Sequence, residues 1–393
     1  MAKRQFSCSL LIAFLIFLFT SSLATAARFN VLNYGAKPDG RTDSTKAFLA
    51  AWKQACGSIK PATVYVPSGR FFLKNVEFQG PCKSNAILFR IEGTLFAPSD
   101  YRVIGNAGYW LYFKHVSGVT VSGGILDGQG PGLWSCKSSG KNCPTGAASL
   151  GFSNSENIVI SGVTSLNSQF FHMVINGCQN VKIQGVTVSA SGNSPNTDGI
   201  HVQLSSGVTI LNSRIRTGDD CISIGPGTIN MWIEKIACGP GHGISIGSLG
   251  NDLKEPGVQN VTVKTVIFTG TTNGVRIKSW ARPSSGFARN IIFQDVLMTN
   301  VQNPIVIDQN YCPDNNNCPG QQSGVKVSDI RYQDIHGTSA TKVAVKFDCS
   351  KKNPCTKIKL QDVKLTYKNQ PADASCNNAD GTSSGFVQPS SCL

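Results

Sequence analysis

The repeated phrases NIVISGV (157–163), NVKIQGV (180–186) and GVTILNS (207–213) predict the fold of this chain. In each phrase an Asn or Gly opens a short run in which apolar and polar residues alternate, which is typical of a β-strand. Related phrases follow at NMWIEKI (230–236) and NVTVKTV (260–266), and successive starts lie 23, 27, 23 and 30 residues apart. Repetition at this period indicates a solenoid, in which each coil buries its apolar face against its neighbours.

Other short strands separate the repeated phrases, for example CISIG (221–225) and GVRIKS (274–279). Two or three short strands per repeat predict an all-β protein, a right-handed parallel β-helix. A β-sandwich is the alternative, and the repeat disfavours it. Few stretches after residue 60 have a helical period, but the segment at 43–56 has a helical stripe, with Asp43 or Ser44 as its N-cap. We expect this helix to cover the N-terminal end of the solenoid, whose open strand edges would otherwise invite aggregation.

The first 26 residues have the layout of a secretory signal peptide. Lys3 and Arg4 precede the apolar run LLIAFLIFLF (10–19), and an Ala-Thr-Ala ending follows at 24–26. A membrane anchor is the alternative, but the apolar run is too short to span a bilayer comfortably. The sequence therefore predicts a secreted protein in which residues 27–393 form one domain.

Cysteine usage agrees with export. The chain has 14 Cys, and setting aside Cys8 in the leader leaves 13. Local disulfides in an oxidising compartment are the natural interpretation, whereas a zinc site is disfavoured because Cys-x-x-Cys pairs are absent from the sequence. The sequon at Asn260 permits glycosylation. The predicted bonds, which leave Cys178 unpaired, are Cys56–Cys82, Cys136–Cys143, Cys221–Cys238, Cys312–Cys318, Cys349–Cys355 and Cys376–Cys392.

The formal net charge is +14, which becomes +12 when Lys3 and Arg4 leave with the leader. A basic exported protein calls for an acidic partner: an anionic polysaccharide, a membrane surface or nucleic acid. The cationic residues are scattered, without an arginine-rich run or interleaved aromatics, so nucleic acid is the weakest of the three. Charge alone does not choose between the other two.

Three carboxylates stand where strands usually avoid Asp. Asp219 and Asp220 lie in RTGDDCISIG (216–225), and Asp198 lies in SPNTDGIHV (194–202), 21 residues before Asp219. In a β-helix, groups one coil apart stack into a column on one face, about 4.8 Å from coil to coil. We therefore expect the three acids to form a cluster.

The column continues into basic residues. His242 lies 22 residues after Asp220 and 34 residues before Arg276. Strand alternation turns Arg276 and Lys278 to the same outward face. Each residue has a simpler interpretation by itself, as turn chemistry, a loop histidine or exposed strand residues, but their coincidence on neighbouring coils favours a site.

Hydrolysis of a glycosidic bond needs such a group. One carboxylic acid protonates the leaving oxygen and another carboxylate activates water; in inverting enzymes the two lie about 6.5–9.5 Å apart. Paired cations would neutralise a carboxylate on the substrate, which implies a uronic acid. The match of GISIG (243–247) to the G-x-S-x-G pattern of serine hydrolases is a weak alternative, because Ser245 is expected inside a strand rather than on a strand-to-helix turn.

Four of these stretches, in order and with compatible spacing, resemble the motifs of polygalacturonases, family 28 of the glycoside hydrolases. The N-terminal stretches FNVLNYGAKPDGRTDSTKAF (29–48) and GILDGQG (124–130) resemble that family as well. The four motif stretches are NTDG (196–199), GDDCISIG (218–225), GHGISIGSLG (241–250) and RIK (276–278).

The resemblance implies a right-handed parallel β-helix that hydrolyses α-1,4 bonds of polygalacturonic acid with inversion and without a metal or other cofactor. It implies that Asp219 is the general acid and that Asp198 and Asp220 activate water. His242 would support the protonation state of the acid.

The same resemblance assigns substrate binding to four residues: Arg276 and Lys278 at the substrate carboxylate, Tyr311 at the sugar after the scissile bond, and Asn196. The sequence is most similar to the plant pollen-type branch, whose members act from the chain end, and a monomer is expected. An endo-acting polygalacturonase is the first alternative. More distant ones are a calcium-dependent pectate lyase and a non-catalytic pectin-binding wall protein.

Overall fold

The computed structural model describes residues 26–313 and 316–393, so the predicted signal peptide, apart from Ala26, lies outside the described residues. The described residues contain two α-helices, α1 (Thr45–Gly57) and α2 (Pro131–Ser138), and two 3-10 turns at Val31–Tyr34 and Tyr101–Val103. The other named elements of the described residues are strands.

Up to residue 189 the strands are short. They are β1 (Ala27–Asn30), β2 (Asp39–Asp43), β3 (Ala62–Val66), β4 (Arg70–Phe72), β5 (Val76–Gln79), β6 (Ile87–Ile91), β7 (Thr94–Phe96), β8 (Tyr109–Lys114), β9 (Val119–Ser122), β10 (Ile125–Asp127), β11 (Ala148–Ser153), β12 (Glu156–Ser161), β13 (Thr164–Leu166), β14 (Met173–Asn176), β15 (Gln179–Gln184) and β16 (Thr187–Ser189). The later ones are β17 (Ile200–Gln203), β18 (Ser206–Arg216), β19 (Ile222–Ile224), β20 (Ile229–Cys238), β21 (Ile244–Leu249), β22 (Val258–Thr269), β23 (Asn273–Trp280), β24 (Phe287–Val301), β25 (Asn303–Tyr311), β26 (Lys326–Ser339), β27 (Val343–Asp348), β28 (Cys355–Tyr367), β29 (Gln370–Pro371), β30 (Asp373–Asn377) and β31 (Ala379–Gln388).

Eleven of these strands form one continuous parallel sheet, sheet 1. Each strand pairs with the strand one coil before it and the strand one coil after it, in the order β5, β8, β11, β14, β17, β19, β21, β23, β25, β27, β30. Ile200, Ile222 and Ile244 are register partners in consecutive strands. Side chains at equivalent positions therefore stack in rows along the coil axis.

The remaining strands form sheet 2, which begins as two ladders and becomes one. Through the first coils, the ladder that starts at β1 runs separately from the ladder that starts at β2. They join at β18, whose first half pairs with β15 and whose last residues pair with β16. Every pairing is parallel except that of the two-residue β29 with β28. The fold is the predicted right-handed parallel β-helix.

A row of positive-φ residues explains why the repeated phrases open with Asn or Gly. Asn180, Asn230 and Asn260 have φ angles of 52°, 57° and 55°, and Gly207 stands at the equivalent corner with φ 65°. Gly and Asn tolerate this left-handed conformation better than other residues. The Asn side chains also bond from coil to coil, with Asn260 Nδ2 donating to Asn230 Oδ1 over 3.0 Å. The recurring residue is thus a corner of the coil.

The core is a set of apolar rows inside the coils. Ile210, Ile233, Val263 and Phe293 are register partners in sheet 2, and all four side chains are fully buried. Burying one side chain of this kind contributes about 1.5–3 kcal/mol relative to leaving it exposed. Since each coil covers only its neighbours, the end coils need other covers.

Helix α1 is the N-terminal cover. Its residues Phe48 and Trp52 are buried, and the Trp52 ring lies 5.4 Å from that of Phe78 in sheet 1. The Asp43 carboxylate accepts a hydrogen bond from the Thr45 backbone N–H over 3.0 Å, whereas the Ser44 side chain makes no capping bond. Of the two predicted caps, Asp43 is therefore the one used.

All six predicted disulfides are formed, and the Cys178 thiol is free and buried. Asn260 is exposed at the start of a repeated phrase in β22, and its glycosylation stays a prediction. Among the described residues, no helix has the length and apolar character needed to cross a bilayer.

Candidate active site

The acids lie in the turns that lead into consecutive strands of sheet 1. Asp198, Asp220 and His242 each stand two residues before a register partner, Ile200, Ile222 and Ile244 respectively. The sequence spacing paired Asp198 with Asp219, but the register aligns Asp198 with Asp220. The difference arises because the coil between them is 22 residues long rather than 21.

The turn that carries Asp219 and Asp220 is held by its backbone. The Thr217 hydroxyl and the His242 backbone N–H both donate to the Asp219 carbonyl oxygen, over 2.9 and 2.8 Å. Gly218 is required here, because a Cβ would lie 2.1 Å from the Ser194 carbonyl oxygen. The disulfide Cys221–Cys238 begins at the next residue.

Asp220 is the most tightly held of the three acids. Its Oδ1 accepts from the Ser245 hydroxyl (2.7 Å) and from Arg276 Nη2 (2.9 Å), and its Oδ2 accepts from Lys278 Nζ (2.9 Å). Burial alone would raise the pKa of Asp220, but the Lys278 and Arg276 charges outweigh it and hold the pKa below its ordinary value. Asp220 is therefore an ionised carboxylate.

The two cations occupy the outward positions that strand alternation predicts. The side chains of Arg276 and Lys278 are 13% and 8% exposed, while Val275 and Ile277 point into the core. Burial opposes the charged form of Lys278, yet the neighbouring Asp220 charge raises its pKa. Sequence reasoning placed these cations at the site but did not find their shared partner, Asp220.

Asp219 and His242 form the second contact of the cluster. Asp219 Oδ1 accepts a hydrogen bond from the Asp220 backbone N–H at 2.8 Å, and His242 Nδ1 lies 3.0 Å from the same oxygen. The backbone carbonyl of His242 accepts from the Asn273 amide over 3.2 Å, which fixes the histidine turn to the next coil. Both Asp219 and His242 keep partial access to solvent.

Asp198 differs electrostatically from Asp220. Its pKa is raised well above the ordinary value, first by burial and then by the charges of Asp219 and Asp220. The Ser223 hydroxyl and the Lys278 charge favour the ionised form and oppose this shift in the pKa. A pair of carboxyls with pKa values pushed apart is the arrangement that acid–base catalysis uses.

These residues border a pocket of about 410 Å³. The three acids and Lys278 line it, as do the predicted residues Asn196 and Tyr311. The Tyr311 ring centroid is 5.2 Å from Lys278 Nζ and packs edge-on against Trp280. His242 and Arg276 do not line the pocket, but they contact Asp219 and Asp220, which do, so the sequence-predicted site residues lie together.

The cluster of Asp219, Asp220 and His242 places one potential ligand atom from each residue within 4.8 Å of the others. A divalent cation does not suit it. Lys278 and Arg276 already neutralise Asp220, and three ligands of which one is imidazole are few for a hard cation that prefers six or more oxygens.

Three residues of the site were not found from the sequence. His201 and Ser223 line the pocket, and Ser245 bonds Asp220 beside it. A signal existed, because CISIG and GISIG place Ser223 and Ser245 at the same outward strand position. The serine-hydrolase interpretation of Ser245 is wrong: it lies buried within β21, hydrogen-bonded to a carboxylate.

A parallel β-helix that lines one pocket with three carboxyls and a lysine, and holds a histidine and an arginine against two of those carboxyls, defines a class of glycoside hydrolase. The profile described as Glycosyl hydrolases family 28 matches residues 56–392, and the chain belongs to this family. It is a glycoside hydrolase.

Relatives support the assignment over the whole chain. A protein of Prunus persica named Polygalacturonase is 69% identical over 396 residues, covering 100% of both chains. A protein of Platanus acerifolia named Exopolygalacturonase is 46% identical over 366 residues, covering 92% of this chain and 96% of its own. The solved polygalacturonase from Erwinia carotovora ssp. carotovora superposes with a TM-score of 0.70 at 27% identity, covering 88% of this chain and 94% of its own.

Proposed function

We propose that this protein is a secreted polygalacturonase, which hydrolyses the α-1,4 bonds of polygalacturonic acid with inversion and releases monogalacturonate from the chain end. The observation that carries the proposal is the double ion pair of Asp220 with Arg276 and Lys278, next to two further carboxyls in one pocket. It supplies carboxylates for glycoside hydrolysis and cations for a uronic acid. Names of the relatives agree: Polygalacturonase at 69% identity and Exopolygalacturonase at 46%.

The cations have donors left for the substrate. A lysine ammonium has three N–H donors and an arginine guanidinium has five. The hydrogen bonds to Asp220 and Ser245 use one donor of Lys278 and two of Arg276. The unused donors next to the pocket suit a galacturonate carboxylate, which accepts several hydrogen bonds at once.

In the proposed reaction Asp219 protonates the oxygen of the leaving sugar, while Asp198 and Asp220 hold and deprotonate the attacking water. Asp219 reaches the pocket, and His242 Nδ1 lies 3.0 Å from its carboxyl oxygen. Asp220 is ionised by its two cations and can accept a proton from water. Asp198 must release its own proton first, so turnover is expected to rise with pH through the raised pKa of Asp198.

The raised pKa of Asp198 favours a second assignment of the acid. A carboxyl whose pKa is raised keeps its proton to higher pH and is a suitable general acid, and the pKa of Asp198 is raised in the free protein. In this alternative Asp198 and Asp219 exchange roles. The activated-substrate test of Asp219 given in the Discussion separates the two.

Two insertions support attack at the chain end. Helix α2 belongs to the insertion at 133–149, and Lys137 in this helix lies over the Phe170 ring, which stacks at 4.0 Å on Phe171 at the pocket rim. The loop that begins at Tyr311 follows the pocket on the side of the later coils. The Cys136–Cys143 and Cys312–Cys318 bonds tie these segments, and tied loops can wall a groove.

The test is a product profile on polygalacturonate. We expect mainly monogalacturonate, with viscosity falling slowly relative to the appearance of reducing ends. A rapid fall in viscosity with a ladder of oligomers would show endo action. Products with the ultraviolet absorbance of an unsaturated uronate, and sensitivity to a chelator, would indicate a calcium-dependent lyase instead. An absence of turnover would leave the pectin-binding alternative.

Secretion to the cell wall, cleavage of residues 1–26, a single catalytic domain at 27–393 and a monomeric state belong to the same proposal. Six disulfides support an oxidising compartment.

A further inference from the structure

Two serines repeat the same relation to two acids. Ser223 and Ser245 are register partners in consecutive strands of sheet 1. The Ser245 hydroxyl donates to Asp220 of the coil before it, and Ser223 holds the equivalent register position beside Asp198 in the same pocket, where its hydroxyl favours the ionised form of that acid. The two serines differ in the third group that each of them contacts.

The direction of the hydrogen bonds at Ser245 is fixed. Arg276 Nε lies 3.0 Å from the Ser245 oxygen, and an arginine can only donate. The Ser245 hydroxyl must then direct its own proton to Asp220, 2.7 Å away. This geometry accepts only an ionised Asp220.

The direction at Ser223 is not fixed, because its third partner is His201. His201 Nδ1 lies 2.8 Å from the Ser223 oxygen, and His201 Nε2 lies 3.3 Å from the Gln203 side-chain oxygen. Burial lowers the pKa of His201, so the ring is neutral and carries one proton, on either nitrogen. The Gln203 amide can rotate to accept from or donate to the ring.

We propose that His201 is a positioning residue, which acts through Ser223 to let Asp198 alternate between its ionised and protonated forms. The inference rests on the proposed function, in which Asp198 changes its protonation state. In the ionised state His201 Nδ1–H donates to Ser223, and Ser223 donates to Asp198. In the protonated state Asp198 donates to Ser223, Ser223 donates to Nδ1, and Nε2–H donates to Gln203. One proton is taken up between the two states, and His201 stays neutral in both.

Other charged groups face this chain of hydrogen bonds. Asp219 and Asp220 act on Asp198 and favour its protonated form, while Lys278 in β23 of the same sheet favours its ionised form. Asp220 and Lys278 also act on His201, with opposite signs. These charges set where Asp198 titrates, and the Ser223–His201 pair determines whether both forms are hydrogen-bonded.

The first test is the pH profile of kcat/KM for Ser223→Ala, His201→Leu and the double variant. Loss of the Ser223 donor destabilises ionised Asp198. The midpoint of the acid limb in Ser223→Ala is therefore expected about one pH unit higher than in the wild type, which lowers kcat/KM about tenfold at a given pH on that limb. His201→Leu should move the limb the same way by no more than that. The double variant should match Ser223→Ala, because His201 acts only through Ser223.

Two further variants complete the design. His201→Asn, whose amide can donate or accept, should restore most of the shift seen in His201→Leu. His115→Asn, an exposed histidine far along the coil stack, should leave the profile unchanged. Additive shifts in the double variant, or an acid limb that does not move in Ser223→Ala, would overturn the proposal.

A second test does not depend on turnover. Ring ¹⁵N shifts of His201 in the wild-type protein should pass from the Nδ1–H to the Nε2–H tautomer as pH falls, and Asp198→Asn should abolish the transition. A single tautomer at all pH values would overturn the proposal. If polygalacturonate is not hydrolysed but the His201 tautomer switches, the proposed function is wrong and the coupling of His201 to Asp198 through Ser223 is retained. If polygalacturonate is hydrolysed and His201 keeps one tautomer, the coupling of His201 to Asp198 is wrong.

Discussion

Asp219 and Asp220 are adjacent in sequence, yet their side chains have different partners. Asp220 turns along the outward face of sheet 1, where Ser245, Arg276 and Lys278 bond it. Asp219 turns toward His242 and the pocket. Neighbouring residues leave the backbone in different directions, so one short turn delivers a carboxylate that is locked and a carboxyl that can meet a substrate.

Asp219→Asn is expected to lower kcat on polygalacturonate by about 10²–10⁴, with little change in KM, because an acid contributes mainly in the transition state. A substrate whose leaving group needs no proton, such as a galacturonosyl fluoride, should recover most of the lost rate. Kinetics on both substrates measure the effect, and Asp380→Asn, at an exposed position of β31, is the matched control.

The outcome on the activated substrate assigns the acid. If Asp219→Asn stays inactive on the fluoride while Asp198→Asn is rescued, the acid is Asp198. Near-normal kcat on polygalacturonate in Asp219→Asn would remove Asp219 from the reaction.

At the scale of strands, the sequence predicted the strands that repeat in every coil, but it did not predict the contacts that depend on how neighbouring coils are aligned. The Asn or Gly corners and alternating runs are properties of each coil alone, so β15, β18 and β20 could be found from their own residues. The alignment of Asp198 with Asp220 depends on the length of the intervening coil, and a difference of one residue is invisible in the pattern.

His201 and Ser223 were missed for a related reason. Both are ordinary residues for an outward strand position, and their meaning comes from a contact between coils 22 residues apart. The ion pairs of Asp220 span 56 and 58 residues. Period-2 alternation gave the face on which Arg276 and Lys278 lie, but not the acid that they contact.

The Cys221–Cys238 bond joins the acid-bearing turn to the end of β20, across 17 residues. Cys221→Ala/Cys238→Ala is expected to lose about 3 kcal/mol of unfolding free energy, from the entropy of the opened loop. It should also lower kcat about tenfold or more, since Asp219 and Asp220 follow the movement of this turn. Denaturant unfolding and kinetics would measure the two effects.

The matched control is Cys349→Ala/Cys355→Ala. This pair is also buried, but it closes only 6 residues in a later coil. The control double variant should lose somewhat less unfolding free energy, about 2 kcal/mol, and its kcat should be unchanged. Equal loss of kcat in both double variants would show that the active-site bond has no special role in holding the acids.

At the scale of the whole molecule, the coil stack buries polar groups that a smaller core would exclude. His172 is fully buried next to the site: its Nδ1 lies 2.8 Å from the Ser165 hydroxyl, and its backbone N–H donates to the Asp198 carbonyl oxygen. Burial lowers the pKa of His172 to about 3. The folded protein therefore holds a neutral imidazole at pH values where the unfolded chain would protonate it.

This difference makes the stability of the fold depend on pH. As pH falls below the unfolded histidine pKa of about 6.5, the unfolded state binds a proton that the native state does not, so the unfolding free energy decreases by about 1.4 kcal/mol per pH unit. The loss from His172 should reach about 2 to 3 kcal/mol at pH 4.5. The raised pKa of Asp198 acts with the opposite sign, because the native state then takes up a proton before the unfolded state does.

His172→Asn tests this account, since an Asn amide can still meet the Ser165 hydroxyl but does not titrate. Urea unfolding between pH 7 and pH 4.5 should show a shallower decline of the unfolding free energy for the variant than for the wild type. The two slopes should differ by the uptake of about one proton, about 1.4 kcal/mol per pH unit. His115→Asn, at an exposed position, is the control and should keep the wild-type slope. Parallel curves for wild type and His172→Asn would mean that His172 is protonated in the folded protein, and its burial would then require a counter-charge that the described residues around it do not supply.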